Sequence, residues 1–293
     1  MITEKLHKNF GICITSNIDY DDPKIASEIT QLVGEERIVC IKNTAPVLPK
    51  DLVTLYKNMG RVAVQSKKIE DCLVEGFPEL IKVKKDGFFK GQDDGELFWH
   101  NAILNKSDAE DIVAMYMHNT STSGGDTYFT DAQSAYDDLD DATKKDIDQM
   151  MCVAVPMTNI DERNPRILKL LAKSYQGQIY PTQEAAYEWV DVDGIKTHTK
   201  VLDEKPLVIT HPINGKKGLH FPWTVFRTMA GKSKSESKEI FLFLKDHLLQ
   251  EKYVYRHNWS KYDICLSDQV HSLHKRDAFI GSRELWRAAI WLK

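Results

Sequence analysis

Two dipeptides constrain this chain more than any other feature. Asp193-Gly194 separates Trp189-Val190-Asp191-Val192 from Ile195-Lys196-Thr197-His198, and Asn214-Gly215 separates Leu207-Val208-Ile209-Thr210 from the segment through Leu219-His220-Phe221. Tight hairpin turns need a positive φ that Gly, Asn and Asp tolerate, so such pairs between β-formers predict hairpins. Further short β-rich runs follow at Tyr253-Val254-Tyr255, Asp263-Ile264-Cys265-Leu266 and Leu285 to Ile290. A helix interrupts them, opened by a capping box of Ser233 and Glu236 and carrying Ile240, Phe241, Leu244 and Leu248 on its apolar face. Near the start, Asp22-Pro23 predicts an N-cap and first-turn proline before Ile25, Ile29, Leu32 and Val33, with Gly34 ending the run. Arg37 to Ile41 then predicts a strand, and Leu52, Leu55, Tyr56 and Met59 a second helix stopped by Gly60. Short strands between turn signals, with a few helices, predict an α+β fold: a jelly-roll or barrel core with helical decoration. No repeat, low-complexity tract or linker divides residues 1–293, which are expected to form a single domain.

Composition excludes several function classes. The 39 Lys+Arg against 43 Asp+Glu, a formal net charge of -4, argue against a nucleic-acid-coating or polybasic membrane protein. The run Ile240 to Leu244 is far below the roughly 20 apolar residues that span a bilayer. Met1-Ile2-Thr3-Glu4-Lys5 begins no apolar leader, so a soluble, cytoplasmic protein is expected. Cys13, Cys40, Cys72, Cys152 and Cys265 are scattered, odd in number and without a C-x-x-C pair. That is a cytosolic thiol pattern and neither a disulfide framework nor a zinc site.

Two histidines stand out by their surroundings. His100 sits in Gly95-Glu96-Leu97-Phe98-Trp99-His100-Asn101-Ala102, and His274 closes Asp268-Gln269-Val270-His271-Ser272-Leu273-His274 ahead of Arg283 and Arg287. Between them lies Ser123-Gly124-Gly125-Asp126-Thr127-Tyr128-Phe129. Taken singly, a lone histidine is more often structural than a ligand, and Gly-Gly-Asp-Thr reads as a turn. In this order, however, the set resembles the taurine dioxygenase (TauD/TfdA-like) family of Fe(II)/2-oxoglutarate enzymes. Trp99-His100 matches the start of its Trp-His-x-Asp motif, and Gly124-Gly125-Asp126-Thr127 through Ala135-Tyr136 and Leu139 its Gly-Gly-Asp-Thr stretch. Phe77-Pro78-Glu79-Leu80-Ile81 is similar to its Pro-Glu segment, and His211-Pro212 through Gly218-Leu219 to its His-Pro hairpin. Arg256-His257-Asn258-Trp259, Asp263 and Asp268-Gln269 lead to His274 as in the family, and Arg283 with Arg287 fits its closing Arg-x-x-x-Arg.

The resemblance implies a double-stranded β-helix (cupin-like jelly roll) with flanking helices and an iron at one mouth. It makes His100 and His274 metal ligands, suited to Fe(II) as imidazoles are. It gives 2-oxoglutarate's far carboxylate to Arg283 and Thr127, with O2 as the other cosubstrate. Arg287 matches a substrate-anion position, His220, Phe221 and Trp223 are candidates for the pocket wall, and a small-molecule substrate, anionic or amino-acid-like, is expected. Homo-oligomerisation stays open. His271, on a strand, would face away, and His257 reads as structural.

One departure is informative. The family's carboxylate ligand falls two residues after His100, where this chain has Ala102. A methyl cannot coordinate iron, and it leaves room for an anion that would restore both ligand and charge. The 2-oxoglutarate-dependent halogenases are similar: they carry Ala or Gly there, bind chloride or bromide, take a hydrogen atom from an aliphatic carbon and return halogen to it. A radical halogenase is therefore the favoured expectation. The alternatives are a hydroxylase with an altered or engineered two-histidine site and a non-catalytic binding protein on the same scaffold.

Overall fold

The computed structural model describes residues 1–65, 67–85, 94–101, 109–154, 203–220 and 226–292. The hairpin expected at Asp193-Gly194, and the positions of Ala102, Phe221 and Trp223, lie outside the described residues.

Two sheets face each other. The larger has nine strands among the described residues. Its centre runs in the order β1 (Ile12–Ile14), β2 (Ile38–Ile41), β8 (Ile264–Asp268), β5 (Ile112–Asn119), β10 (Glu284–Leu292) and β3 (Phe77–Lys84). Only β1 and β2 of these neighbours run parallel. The smaller sheet is four-stranded and antiparallel, ordered β7 (Val254–His257), β6 (Thr127–Thr130), β9 (His274–Arg276) and β4 (Leu97–His100).

Alternation along the strands sorts residues between layers. Val39, Ile41, Ala114, Tyr116, Leu266, Trp286 and Ile290 of the large sheet pack against α1 (Pro23–Glu36) and α2 (Pro49–Met59) in one core. Their alternates, including Cys40, Cys265, Met115 and Leu285, turn the other way and meet Phe129 and Trp259 between the sheets. Behind the small sheet, Phe241, Leu244 and Leu248 of α3 (Lys234–Leu248) pack with Trp99, Leu273 and Tyr253 in a third core.

The helix ends follow their caps. Asp22 accepts the Lys24 N–H ahead of Pro23, and Ser233 and Glu236 close a reciprocal capping box. Gly60 caps α2 as expected. Gly34 does not end α1, which continues to Glu36. There a side chain would meet Ile213 at 2.7 Å, so this glycine serves close packing on the Asn214-Gly215 turn and not a stop. That turn does join a hairpin, Val208–Thr210 with Lys217–Leu219, by the longer loop His211 to Lys216.

Candidate functional site

The inner face of the small sheet builds the site. His274 pairs with His100 across β9 and β4, and the ring centroids lie 4.2 Å apart. His274 also pairs with Phe129 on β6, and Thr127 lies two residues along, hence on the same face. From the large sheet, Arg287 shares the inner face with Leu285, and its charge reaches His274.

Burial pushes the His274 imidazole far below its ordinary proton affinity, and the His100 and Arg287 charges add to that. Its Nδ1 is buried without a hydrogen-bond partner among the described residues. A neutral imidazole with an unanswered buried nitrogen, facing a second imidazole, is the donor set a divalent transition metal takes. Among the described residues no Asp, Glu or Cys groups with the two imidazoles. The one cluster of three ligand-type residues among the described residues lies elsewhere, at Cys40, His257 and Cys265.

Arg283 is 4% exposed and makes no ion pair among the described residues. Burial, with the charge of Arg276, lowers its affinity for its proton to about 9 against the pull of Asp126. A buried guanidinium without a counterion is costly, and an anionic ligand relieves that cost. It borders a cavity of about 200 Å³ with Gly125, Asp126, Asn258, Trp259 and Met117. Gly124 and Gly125 are therefore more than a turn. Both have positive φ; a side chain on the first would strike the Ala278 carbonyl at 2.3 Å, and one on the second would press on the Arg283 stem at 3.1 Å. Thr127 is buried, and its Oγ1 accepts from Trp259 Nε1 at 2.8 Å.

The other expected residues have partners of their own. Arg287 pairs with Glu110, a partner that no motif signalled. His220 Nδ1 lies 3.1 Å from the Val270 carbonyl, and burial lowers its pKa to about 4. His271 is not on a strand. Asp268 accepts the N–H groups of Val270 and His271, turning the chain there and burying the His271 ring. Asp268 also meets His211 at 3.2 Å and Arg37 at 3.6 Å, so a buried ionic network anchors the loop that delivers His274.

Residues 2–289 match the family model "Taurine catabolism dioxygenase TauD, TfdA family". An alkylsulfatase of Acinetobacter baylyi is 29% identical over 154 residues, 52% of this chain and 42% of that protein. An alpha-ketoglutarate-dependent 2,4-dichlorophenoxyacetate dioxygenase of a Burkholderia species is 27% identical over 168 residues, 57% of this chain and 48% of that protein. The matched stretches thus span less than half of either relative. Among solved structures, a putative alpha-ketoglutarate-dependent taurine dioxygenase from Burkholderia xenovorans superposes with TM-score 0.74 at 16% identity, covering 100% of this chain and 90% of that one. AAD-2 in complex with Mn(II) and N-oxalylglycine superposes with TM-score 0.71 at 18% identity, covering 100% and 97%. These likenesses establish the fold: facing mixed sheets with flanking helices.

Proposed function

The chain belongs to the TauD/TfdA family, and from that premise we propose that it is an Fe(II)- and 2-oxoglutarate-dependent oxidoreductase acting on a small molecule. One observation carries this: the imidazoles of His100 and His274, 174 residues apart in the chain, face each other across adjacent strands with a buried nitrogen unanswered. In this reading the two sheets are the halves of a double-stranded β-helix, and the chain acts as one domain.

Fe(II), when bound, supplies O2 activation coupled to decarboxylation of 2-oxoglutarate to succinate. The chain's own residues do the rest. His100 and His274 hold the metal, and burial keeps His274 neutral and ready to ligate. Arg283 fixes the cosubstrate's far carboxylate, with Thr127 beside it held in place by Trp259. Met115, Phe129 and Leu285, buried between the sheets, give the centre an apolar wall on that side.

Within this class we favour halogenation, because Ala102 offers no carboxylate where the family has one and a halide supplies the missing ligand and charge. A hydroxylase is the second reading, favoured by the names of the curated relatives, a dioxygenase and an alkylsulfatase. Those names also denote anionic compounds, which supports an anionic substrate here.

Mass spectrometry of products, with chloride, with bromide and with neither, tests the choice. Halogen isotope patterns from the natural chain that vanish in Ala102→Asp support the halogenase. No halogenated product, together with oxygenation gained in Ala102→Asp, assigns a hydroxylase.

A further inference from the structure

A second cluster of reactive side chains lies in the large sheet and takes no part in the iron site. Cys13, Cys40, Cys265 and Met115 stand in one cross-strand row, so their side chains share a face. The Cys40 and Cys265 sulfurs are 2.8 Å apart, well inside the roughly 3.5–4 Å of ordinary non-bonded contact. Directly paired residues of antiparallel strands have Cα atoms roughly 4.5–5.5 Å apart, within the span a disulfide bridges.

The neighbours of Cys40 are those of an activated nucleophile. His257 Nδ1 lies 3.6 Å from its sulfur and 3.0 Å from the Tyr255 hydroxyl. The other ring nitrogen is 3.3 Å from Asp263, which accepts from Lys42 at 2.6 Å and from the Ser260 N–H at 2.9 Å. Cys40, Cys265 and Asp263 are fully buried and His257 nearly so. Burial pushes the Cys40 thiol up, but the Cys265 contact and the His257 charge outweigh it and bring Cys40 down to about 6. Burial and the Cys40 charge hold Cys265 well above its ordinary value, so the proton between the two sulfurs stays there.

We propose that Cys40 and Cys265 are a dithiol oxidised by hydrogen peroxide, with Cys40 the attacking thiolate held by His257 and Asp263, and Cys265 the resolving thiol. The Cys40 sulfur attacks one peroxide oxygen, the O–O bond breaks, and the leaving hydroxide takes a proton from His257 to become water. Cys40 is then a sulfenic acid. The Cys265 sulfur displaces hydroxide from it, and that hydroxide leaves as water with the Cys265 proton. Two electrons pass from the dithiol to the peroxide, and an external thiol reductant reverses the change.

Cys40, His257 and Cys265 also group as ligands for a thiophilic cation. Two thiolates on one tetrahedral zinc sit about 3.7 Å apart, nearly 1 Å more than observed, so the distance favours the sulfur–sulfur bond.

The test is exposure of the reduced full chain to hydrogen peroxide. Its intact mass should fall by about 2 Da, a non-reducing peptide map should join Cys40 to Cys265, and dithiothreitol should reverse both. Cys265→Ser should stop at a trappable sulfenic acid on Cys40, and His257→Asn should slow oxidation at least ~tenfold. Oxidation of the half-buried Cys72 alone, with Cys40 and Cys265 remaining thiols, overturns the proposal. So does one zinc per chain that blocks oxidation and is lost in Cys265→Ser. None of these readouts involves iron, so failure here leaves the oxidoreductase assignment untouched.

Discussion

His274 and His257 sit on strands of the same small sheet, yet they hold protons oppositely. Around His274 every strong neighbour is a cation or an imidazole, so burial wins and the ring is neutral. Around His257 the Cys40 thiolate and Asp263 reverse the effect of burial and raise its pKa to about 9. Histidine chemistry here is set by the facing sheet: Arg287 looks toward one ring, Cys40 toward the other. A neutral buried imidazole suits a metal, and a charged one suits an anion such as a thiolate.

Substitutions can break that contrast. His274→Ala should lower turnover by more than ~100-fold in steady-state assays, while a folded His257→Gln should lose far less. Equal losses would end the distinction. Arg283→Ala should weaken 2-oxoglutarate binding by roughly a hundredfold or more, read by anaerobic calorimetry, since it removes the buried partner of a charged ligand. An unchanged affinity would move that role to Arg276 or Arg287.

Asp268→Asn should cost about 3 kcal/mol in urea unfolding, because Arg37 loses one of its two buried counter-charges and His211 its carboxylate partner. Although burial opposes it, His211 and Arg37 hold the Asp268 pKa below its ordinary 3.8. Its contribution is therefore complete above about pH 4 and lost as pH falls through the lower folded value. Gly34→Ala sharpens the scale of the packing effects far from either ring. Overpacking against Ile213 outweighs the gain in helix propensity, for a net loss of about 1 kcal/mol.

The smallest expected effect is the most discriminating for His257. Taken alone, its raised pKa stabilises below 6.5 and that stability is lost as pH rises toward 9. Cys40 alone, lowered from 9.0 to about 6, stabilises above 9 and loses that as pH falls. Between these limits the folded and unfolded pair each hold one proton, on nitrogen when folded and on sulfur when unfolded. The two slopes cancel, so stability from this pair should be flat across pH 6.5–9 while thiolate absorbance is present only in the folded chain. A steep slope, or no thiolate at neutral pH, would show that the pair is uncharged.

Local signals made much of the fold legible. Asp22-Pro23, Ser233 with Glu236, and Gly60 mark helix ends through backbone chemistry that needs no distant partner. Gly34 misled because its cause, Ile213, is remote in sequence and only folding brings it near. The histidine pair was legible through ordered motifs. Glu110 was not, since an isolated acid before a strand carries no pattern. Nor was the Cys40–Cys265–His257 cluster: cysteines 225 residues apart meet only through the register of β2 on β8.

Both readings of the activity need iron bound between His100 and His274. Anaerobic Fe(II) titration with 2-oxoglutarate, followed by the visible charge-transfer band of the bound pair, tests it most directly. One Fe(II) should bind per chain, lost in His100→Ala and in His274→Ala and kept in Cys265→Ser. Binding that survives loss of both imidazoles, or disappears with Cys265, would contradict it.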